Sequence, residues 1–485
     1  MESPSPAQRV GHDWNSRAPA GRLTDNLGPN RPPKTALRLV EGGILVPLAI
    51  ALYVFIFYSR IFDVTSLWRL HIPMILLFAL VLTALIRGNM GRLFRSRTSR
   101  AIMALTGWVC ICLPFSAWPG GSVESVKLAL QSFAVFLVMI ALLRSFESWL
   151  KVAYAMGFAV TAAACLSFFI GKSVQGRYAF AEGTNADPNQ FALMLLMGLP
   201  FLWLLAKQSP GLSVSRIFAL LCTIPVLVAF FRAGSRAGLL CLLSMAGVMF
   251  LQATAIQKLK LVVLGIVVAG CAFFLLPSYL RVRFFTLFST SAVAAEELDD
   301  QSLQYMGGDI GSSHGRRQLL KDGLMLTINH PVFGVGPGQF AHRNWEEARK
   351  KGERRASVVN HNTYLQYSSE TGVPGLLSYV MVLLYAFFDL RRVSKEAKAR
   401  VATHHYYQQI VTASQYLTAS VVSFVLGSFF LSLAYSIVVY SMMGLVASFC
   451  MSARAMMSLN DGRIPAPAPA AASQRFPSQL RPASL

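Results

Sequence analysis

Between residues 42 and 454 the chain keeps returning to apolar stretches that approach the roughly 20 residues a helix needs to cross a hydrocarbon core. LALQSFAVFLVMIALL at 128–143 and LVVLGIVVAGCAFFLL at 261–276 are two of them. Neither carries a charge, and neither alternates apolar with polar residues as a half-buried strand does. A soluble domain has charge on about a quarter of its residues. Here the share is 14%, beside 54% hydrophobic residues and a mean hydropathy of +0.50. Only helices and closed barrels satisfy their backbone inside lipid, and these runs have helix length. The expected fold is all-α: a polytopic transmembrane bundle of about 12 spans with one large outer loop that contains helices.

The runs place spans near 42–58, 70–87, 101–118, 125–143, 150–170, 189–206, 214–231, 236–254, 259–277, 372–389, 410–431 and 434–454. Residues 1–38 are rich in Pro, Ser, Asn and Arg and lack the apolar core of a signal peptide. They read as a disordered cytoplasmic tail, and 457–485, with IPAPAPAAAS from residue 464, reads as a second one. The expected organisation is a tail at 1–38, nine spans within 39–277, a large loop at 278–371, three spans within 372–456, and the closing tail.

The chain's net charge is +22. Nucleic-acid binding needs a basic face interleaved with aromatics on a soluble domain, and none is found. The basic residues instead gather in alternate short loops: Arg87, Arg92, Arg95, Arg97 and Arg100; Arg144 and Lys151; Lys207 and Arg216; Lys258 and Lys260; Arg391, Arg392, Lys395, Lys398 and Arg400. The positive-inside rule then puts both termini in the cytoplasm and 278–371 outside. No ionisable residue falls near the middle of a span, where coupled transporters usually keep one. The seven cysteines all lie in apolar runs. They read as small core residues, with neither a disulfide framework nor a metal cluster.

Polar chemistry collects at the outer ends of the spans. GRYAFAEGTNADPNQ (176–190) offers Arg177, and its Asp187-Pro188 pair reads as a helix cap. FRAGSRAG (231–238) is a tight turn that carries Arg232 and Arg236. GRRQLLKDGLMLTIN (315–329) begins with Arg316 and Arg317. Its leucines and Ile328 fall at helical spacing, a stripe whose commoner use is packing, and Pro331 ends it. NHNTYLQYSSETGVPG (360–375) holds His361, Asn362, Tyr364 and Glu370. A single arginine at a span end is usually a headgroup anchor, and a lone histidine is more often structural than catalytic. Arginine from three outer elements, on the side where anchoring arginines are scarce, makes anchoring the weaker account. GVGPG at 334–338 lacks the Lys and Ser or Thr of a phosphate loop and reads as a turn. The acids Glu296, Glu297, Asp299 and Asp300 have no histidine neighbour and read as a solvated loop, so no metal site is expected.

Guanidinium groups at the membrane surface suit a phosphate anchored in lipid. A polyprenyl diphosphate places its diphosphate at that depth, and a histidine supplies a base at neutral pH. The pieces GRYAFAEGTNADPN, GSRAG, GRRQLL…HPVFGVGPGQF and HNTYLQYSSETGVPGLL resemble the O-antigen ligase and O-antigen polymerase superfamily of bacterial surface-glycan membrane enzymes. The resemblance covers residues 176–376. It implies His361 as catalytic base and Arg177, Arg236 and Arg316 as ligands of the donor diphosphate. Arg232, Arg317, Asn362 and Glu370 take supporting roles, with Glu370 placed to orient the His361 ring. It also implies a metal-free, cofactor-free, inverting glycosyltransferase in the bacterial inner membrane. Such an enzyme moves a glycan from a polyprenyl diphosphate carrier to a hydroxyl on lipid A core, a glycan chain or a protein. O-antigen ligase is the first reading, and a polymerase, an exopolysaccharide enzyme or a protein O-oligosaccharyltransferase stands behind it. A lipid-linked glycan flippase, the rival from another class, needs a polar passage that the clean spans do not offer.

Overall fold

The computed structural model describes residues 44–64, 69–174, 176–180, 187–285, 300–350, 352 and 358–460. The all-α reading holds. The main helices are α1 (Leu45–Ser59), α2 (Ile72–Arg87), α3 (Arg97–Ile111), α4 (Pro119–Leu142), α5 (Phe146–Ile170), α6 (Pro188–Gln208), α7 (Val214–Arg232), α8 (Arg236–Gln252), α9 (Ala255–Leu275), α10 (Ser278–Phe285), α11 (Asp300–Asn329), α12 (Phe340–Lys350), α13 (Thr363–Lys398), α14 (His405–Gly427) and α15 (Ile437–Asn460). Nine of these are long and apolar enough to cross a membrane. Three of the expected spans, α1, α2 and α8, form shorter apolar helices. The sheet among the described residues is a hairpin after α5, in which β1 (Gly171–Val174) pairs antiparallel with β2 (Arg177–Phe180).

α6 and α15 form the centre, and most of their side chains are buried. α6 packs against α5, α7 and α14, while α15 packs against α4, α13 and α5. α9 sits at the edge and buries no residue. Three details depart from the sequence expectations. The break between the last two spans falls at 428–436, where Tyr435 takes a left-handed backbone (φ 66°). α15 continues through Asn460, so the four residues from 457 that were expected in a tail are helical. The rest of both expected tails, and the acids Glu296, Glu297 and Asp299, lie outside the described residues. Of the cysteines, Cys112, Cys222, Cys241 and Cys450 are buried, but Cys271 is exposed on α9, a helix without buried residues.

The stripe on α11 also resolves differently from its commoner use. Leu320, Leu324 and Ile328 are exposed. α11 meets α13 with the next face round: Leu326 is buried, Gly323 lies under Leu365, and Thr327 Oγ1 is 2.9 Å from Ser368 Oγ. Gly323 and Thr327 let the two backbones approach, and Leu319 of the stripe packs beside Leu326.

α13 holds the architecture of its end of the bundle. It breaks at Gly372 (φ 72°, ψ −178°), so a first segment, Thr363–Thr371, precedes the long one. The GVGPG turn closes on this break. Gly334, Gly336 and Gly338 all have positive φ, a region that glycine enters without steric cost. Val335 N donates to Ser369 O (2.8 Å) and Gly336 N to Glu370 O (3.0 Å). The Glu370 carboxylate is buried and accepts from Gly338 N (2.8 Å), Phe340 N (3.4 Å) and Tyr435 Oη (2.9 Å). Trp108 Nε1 of α3 caps the break by donating to Thr371 O (2.8 Å).

A methyl group at Gly334 would strike the backbone of Glu370 and Thr371, and its φ of +67° is costly for any other residue. Gly334→Ala is expected to destabilise the protein by at least about 1–3 kcal/mol. The readout is the thermal unfolding midpoint in detergent, against Gly247→Ala, where the added methyl meets nothing within 4 Å. Equal midpoints for the two variants would show that the turn tolerates side chains.

Candidate functional site

Four connections converge at the end of the bundle where α13 begins. The first is the β hairpin with the start of α6. Asp187 is the N-cap of α6, as the Asp-Pro pair predicts, and its Oδ1 accepts from Asn189 N (2.8 Å) and Asn189 Nδ2 (3.0 Å). Asn189 Oδ1 in turn accepts from Arg177 Nη2 (2.7 Å) and Ser235 Oγ (2.8 Å). Arg177, on β2 and only 9% exposed, also donates through Nε to Ala233 O (3.2 Å). The second connection is the α7–α8 turn itself. Gly234 there has φ +56° and lies against the Arg177 and Arg283 side chains, and Arg283 Nε donates to Gly234 O (2.8 Å). Arg177 therefore ties the hairpin to this turn through a polar chain that also includes Asn189 and Ser235.

Arg236 is the first residue of α8, whose N-cap Ser235 accepts from Gly238 N (3.0 Å). A cation there opposes the helix dipole, so helix stability does not account for it. The positive N-termini of α6, α8 and α13 share this end of the bundle with Arg177, Arg236, Arg283 and Arg316. The result is a surface suited to an anion. Arg232 lies over the Tyr178 ring, 4.2 Å from its centroid, and so braces the hairpin. Arg316 is half-buried on α11, and Arg317 beside it is exposed.

The third connection is α11, and the fourth is the entry to α13. His361 has a left-handed backbone (φ 48°), an uncommon state for a residue with a side chain. It is held there by its neighbours. Asn362 is the N-cap of α13 and accepts from Leu365 N (3.0 Å); Asn360 Oδ1 accepts from Asn362 N (3.3 Å). Thr363 is fixed on both sides, donating its N–H to Ser428 O (2.8 Å) and its hydroxyl to Leu431 O (2.6 Å). So Asn362 does the capping, and the half-buried imidazole is left to its electrostatic neighbours, Asp187 and Arg316. Burial holds the imidazole below its ordinary pKa. Asp187 opposes that shift and Arg316 adds to it. The lowered pKa favours the neutral ring, in which one nitrogen can accept a proton.

Glu370 does not orient His361. Nine residues of helix put about 13 Å between them, and its carboxylate is occupied by the GVGPG turn and Tyr435. Sequence reasoning placed Asp187 only as a cap and passed over Asn189, Arg283 and Tyr435. The ADPNQ string contained the signal for Asp187 and Asn189, since a capping Asp followed by Asn fixes an amide at the helix entrance. Among the described residues no three His, Cys, Asp or Glu side chains come together as a metal site would need.

The electrostatic pairings carry signs. Arg316→Gln is expected to raise the pKa of His361, and Asp187→Asn to lower it. Diethyl pyrocarbonate modification of His361, followed against pH by mass spectrometry, reads the shift directly. No movement in either variant would separate His361 from both groups.

Residues 217–380 match the O-antigen ligase family. A stretch of 88 residues is 34% identical to the exopolysaccharide production protein ExoQ of Rhizobium meliloti (strain 1021). That match covers 17% of this chain and 20% of the relative. Arg236, Arg316, His361 and the GVGPG turn all fall inside the family match, while Arg177 and Asp187 lie before it. By its apolar helices the chain is a multi-pass α-helical membrane protein, and its residues 217–380 are similar to the O-antigen ligase family.

Proposed function

We propose that the protein is a glycosyltransferase that moves a glycan from a polyprenyl diphosphate carrier to a hydroxyl acceptor, at the periplasmic face of the bacterial inner membrane. One observation carries this reading: a half-buried histidine with Asp187 and Arg316 as electrostatic neighbours, at a bundle end also lined by Arg177 and Arg236. In the reaction, the acceptor oxygen attacks the anomeric carbon and its proton passes to His361. The bond from that carbon to the diphosphate breaks, and its electron pair leaves with the carrier. The arginines neutralise the charge that grows on the leaving diphosphate. Asp187 faces the same imidazole and stabilises the imidazolium after proton transfer. His361 is fixed by Asn362 and Thr363 at a helix entrance, which keeps the base in place.

An O-antigen ligase, with lipid A core as acceptor, is the first form of this reading. The similarity to an exopolysaccharide production protein favours a second form, in which the acceptor is another glycan chain. The residues gathered at the site address the donor, which both forms share.

His361→Ala is expected to lower transfer by about 10²- to 10⁴-fold, the usual contribution of a general base, while donor binding and the unfolding midpoint stay unchanged. The assay uses purified protein, a polyprenyl diphosphate glycan, and lipid A core or free glycan as acceptor. Wild-type transfer by folded His361→Ala would remove the base from the reaction. Arg236→Lys and Arg316→Lys keep charge but lose the bidentate fork. Each is expected to reduce transfer about 10- to 150-fold, from a charge-assisted contact of about 1.5–3 kcal/mol.

Orientation has its own check. Single cysteines beside Arg177, Arg236, Arg316 and His361, in a background without native cysteines, should react with an impermeant thiol reagent applied to intact cells. Labelling at 92–97 in their place would turn the bundle over and remove the site from the periplasm.

A further inference from the structure

The bundle end opposite His361 contains a groove of about 670 Å³ between α8, α13 and α14. That is within the range of about 300–1,000 Å³ typical of ligand sites. Its lining changes character along its length. Phe387 of α13, Leu251 of α8 and Val422 of α14 form one part, and Arg391, Lys395 and Lys398 of α13 form the other. The three cations are spaced by four and then three residues, so they lie on one helix face with Phe387 a turn deeper. About 28 Å of helix separates the break at Gly372 from Arg391, close to the thickness of a hydrocarbon core. The cations therefore stand at the membrane surface and the apolar part extends into the hydrocarbon. The groove runs about 16 Å along α14, from Val411 to Val422.

Cations at span ends are commonplace, and the fate of the acids sets these apart. α13 carries two acids on this stretch, Asp389 and Glu396, and both turn to another face. Glu396 pairs with Arg392 (3.0 Å) and Arg454 (3.6 Å), and Asp389 faces Arg454 (3.9 Å) and accepts from Thr98 Oγ1 (3.1 Å). Among the described residues no acid lines the groove, and none of Arg391, Lys395 and Lys398 forms an ion pair. Ser414 and Gln415 add polar groups beside the cations.

We infer that this groove binds an anionic phospholipid, with its phosphate at Arg391, Lys395 and Lys398 and an acyl chain along Phe387, Leu251 and Val422. A cationic rim over an apolar trough matches that amphiphile, and basic pockets between spans are a recognised lipid-binding arrangement. An acidic peptide would use the rim and leave the trough uncovered. The site is far from His361 and independent of the transfer reaction proposed above.

Native mass spectrometry of the full chain tests this, with added phosphatidylglycerol or phosphatidylcholine in neutral detergent. Phosphatidylglycerol is expected to be retained preferentially. The R391Q/K395Q/K398Q variant should bind it about 100-fold more weakly, the effect of three surface cations, and K395Q alone about 5-fold more weakly. K151Q/R216Q, two cations outside the groove, should leave binding unchanged. All these positions are at least partly exposed, and unfolding midpoints confirm that the variants are folded. Equal retention of the two lipids, or equal loss in the triple and control variants, would overturn the site. So would capture of a poly-glutamate peptide with no preference for phosphatidylglycerol.

Discussion

A single buried carboxylate organises the end of the bundle where the candidate site lies. Glu370 would be costly in an apolar interior without partners. It is stabilised by the amide of Gly338 in the GVGPG turn, by the amide of Phe340 at the start of α12 and by the Tyr435 hydroxyl. These contacts join three parts of the chain that are distant in sequence: the loop after α11, the break in α13, and the connection between α14 and α15. Each part contains a backbone state that isolated sequence does not favour, at Gly334, Gly336, Gly338, Gly372 and Tyr435. The four glycines enter these states without steric cost, while Tyr435, at φ 66°, is held there with its hydroxyl on Glu370 and its carbonyl accepting from Ser132 Oγ (2.8 Å). Backbone amides that converge on a carboxylate behave like an anion-binding nest, here occupied by the protein's own side chain.

The same device places His361. The segment Thr363–Thr371 is anchored at one end by Glu370 and at the other by Thr363, which reaches the 428–433 connection with both its amide and its hydroxyl. The imidazole stands just ahead of this fixed segment, with Asp187 from α6 and Arg316 from α11 as neighbours. A chain of hydrogen bonds from Asp187 through Asn189 to Arg177 and Ser235 links the hairpin, α6 and the α7–α8 turn. Cations and helix N-termini of like sign are thereby held at one surface. Rigid supports make that arrangement tolerable, and an anionic ligand would relieve the repulsion.

The two ends of the bundle treat charge differently. At the His361 end Arg177 and Arg283 are at least partly buried and tied by hydrogen bonds to the α7–α8 turn. At the other end the cations of α13 stand in an open groove, while the nearby acids pair with Arg392 and Arg454. Span-end arginines therefore need their partners identified before a role is assigned. By that criterion Arg232, stacked on Tyr178, is a brace.

The sequence by itself determined the solvent, the helical class and most spans, because apolar length and charge-poor composition act locally and lipid admits few alternatives. It also marked the four connections that carry polar residues, through their unusual chemistry in an apolar chain, and it placed the start of α6 through the Asp187-Pro188 cap. Tertiary structure alone decided what each of those residues touches. Closeness in sequence points to Glu370 as a partner of His361, and the fold makes it the anchor of a glycine-rich turn. Of the α11 stripe, Leu319 packs against a small cluster with Leu326, while Leu320, Leu324 and Ile328 stay exposed and Gly323 and Thr327 meet α13. Asp187 appeared to be only a cap and also faces the imidazole. Each of these outcomes depends on segments tens to hundreds of residues apart, and helical periodicity is silent about which faces of distant helices meet.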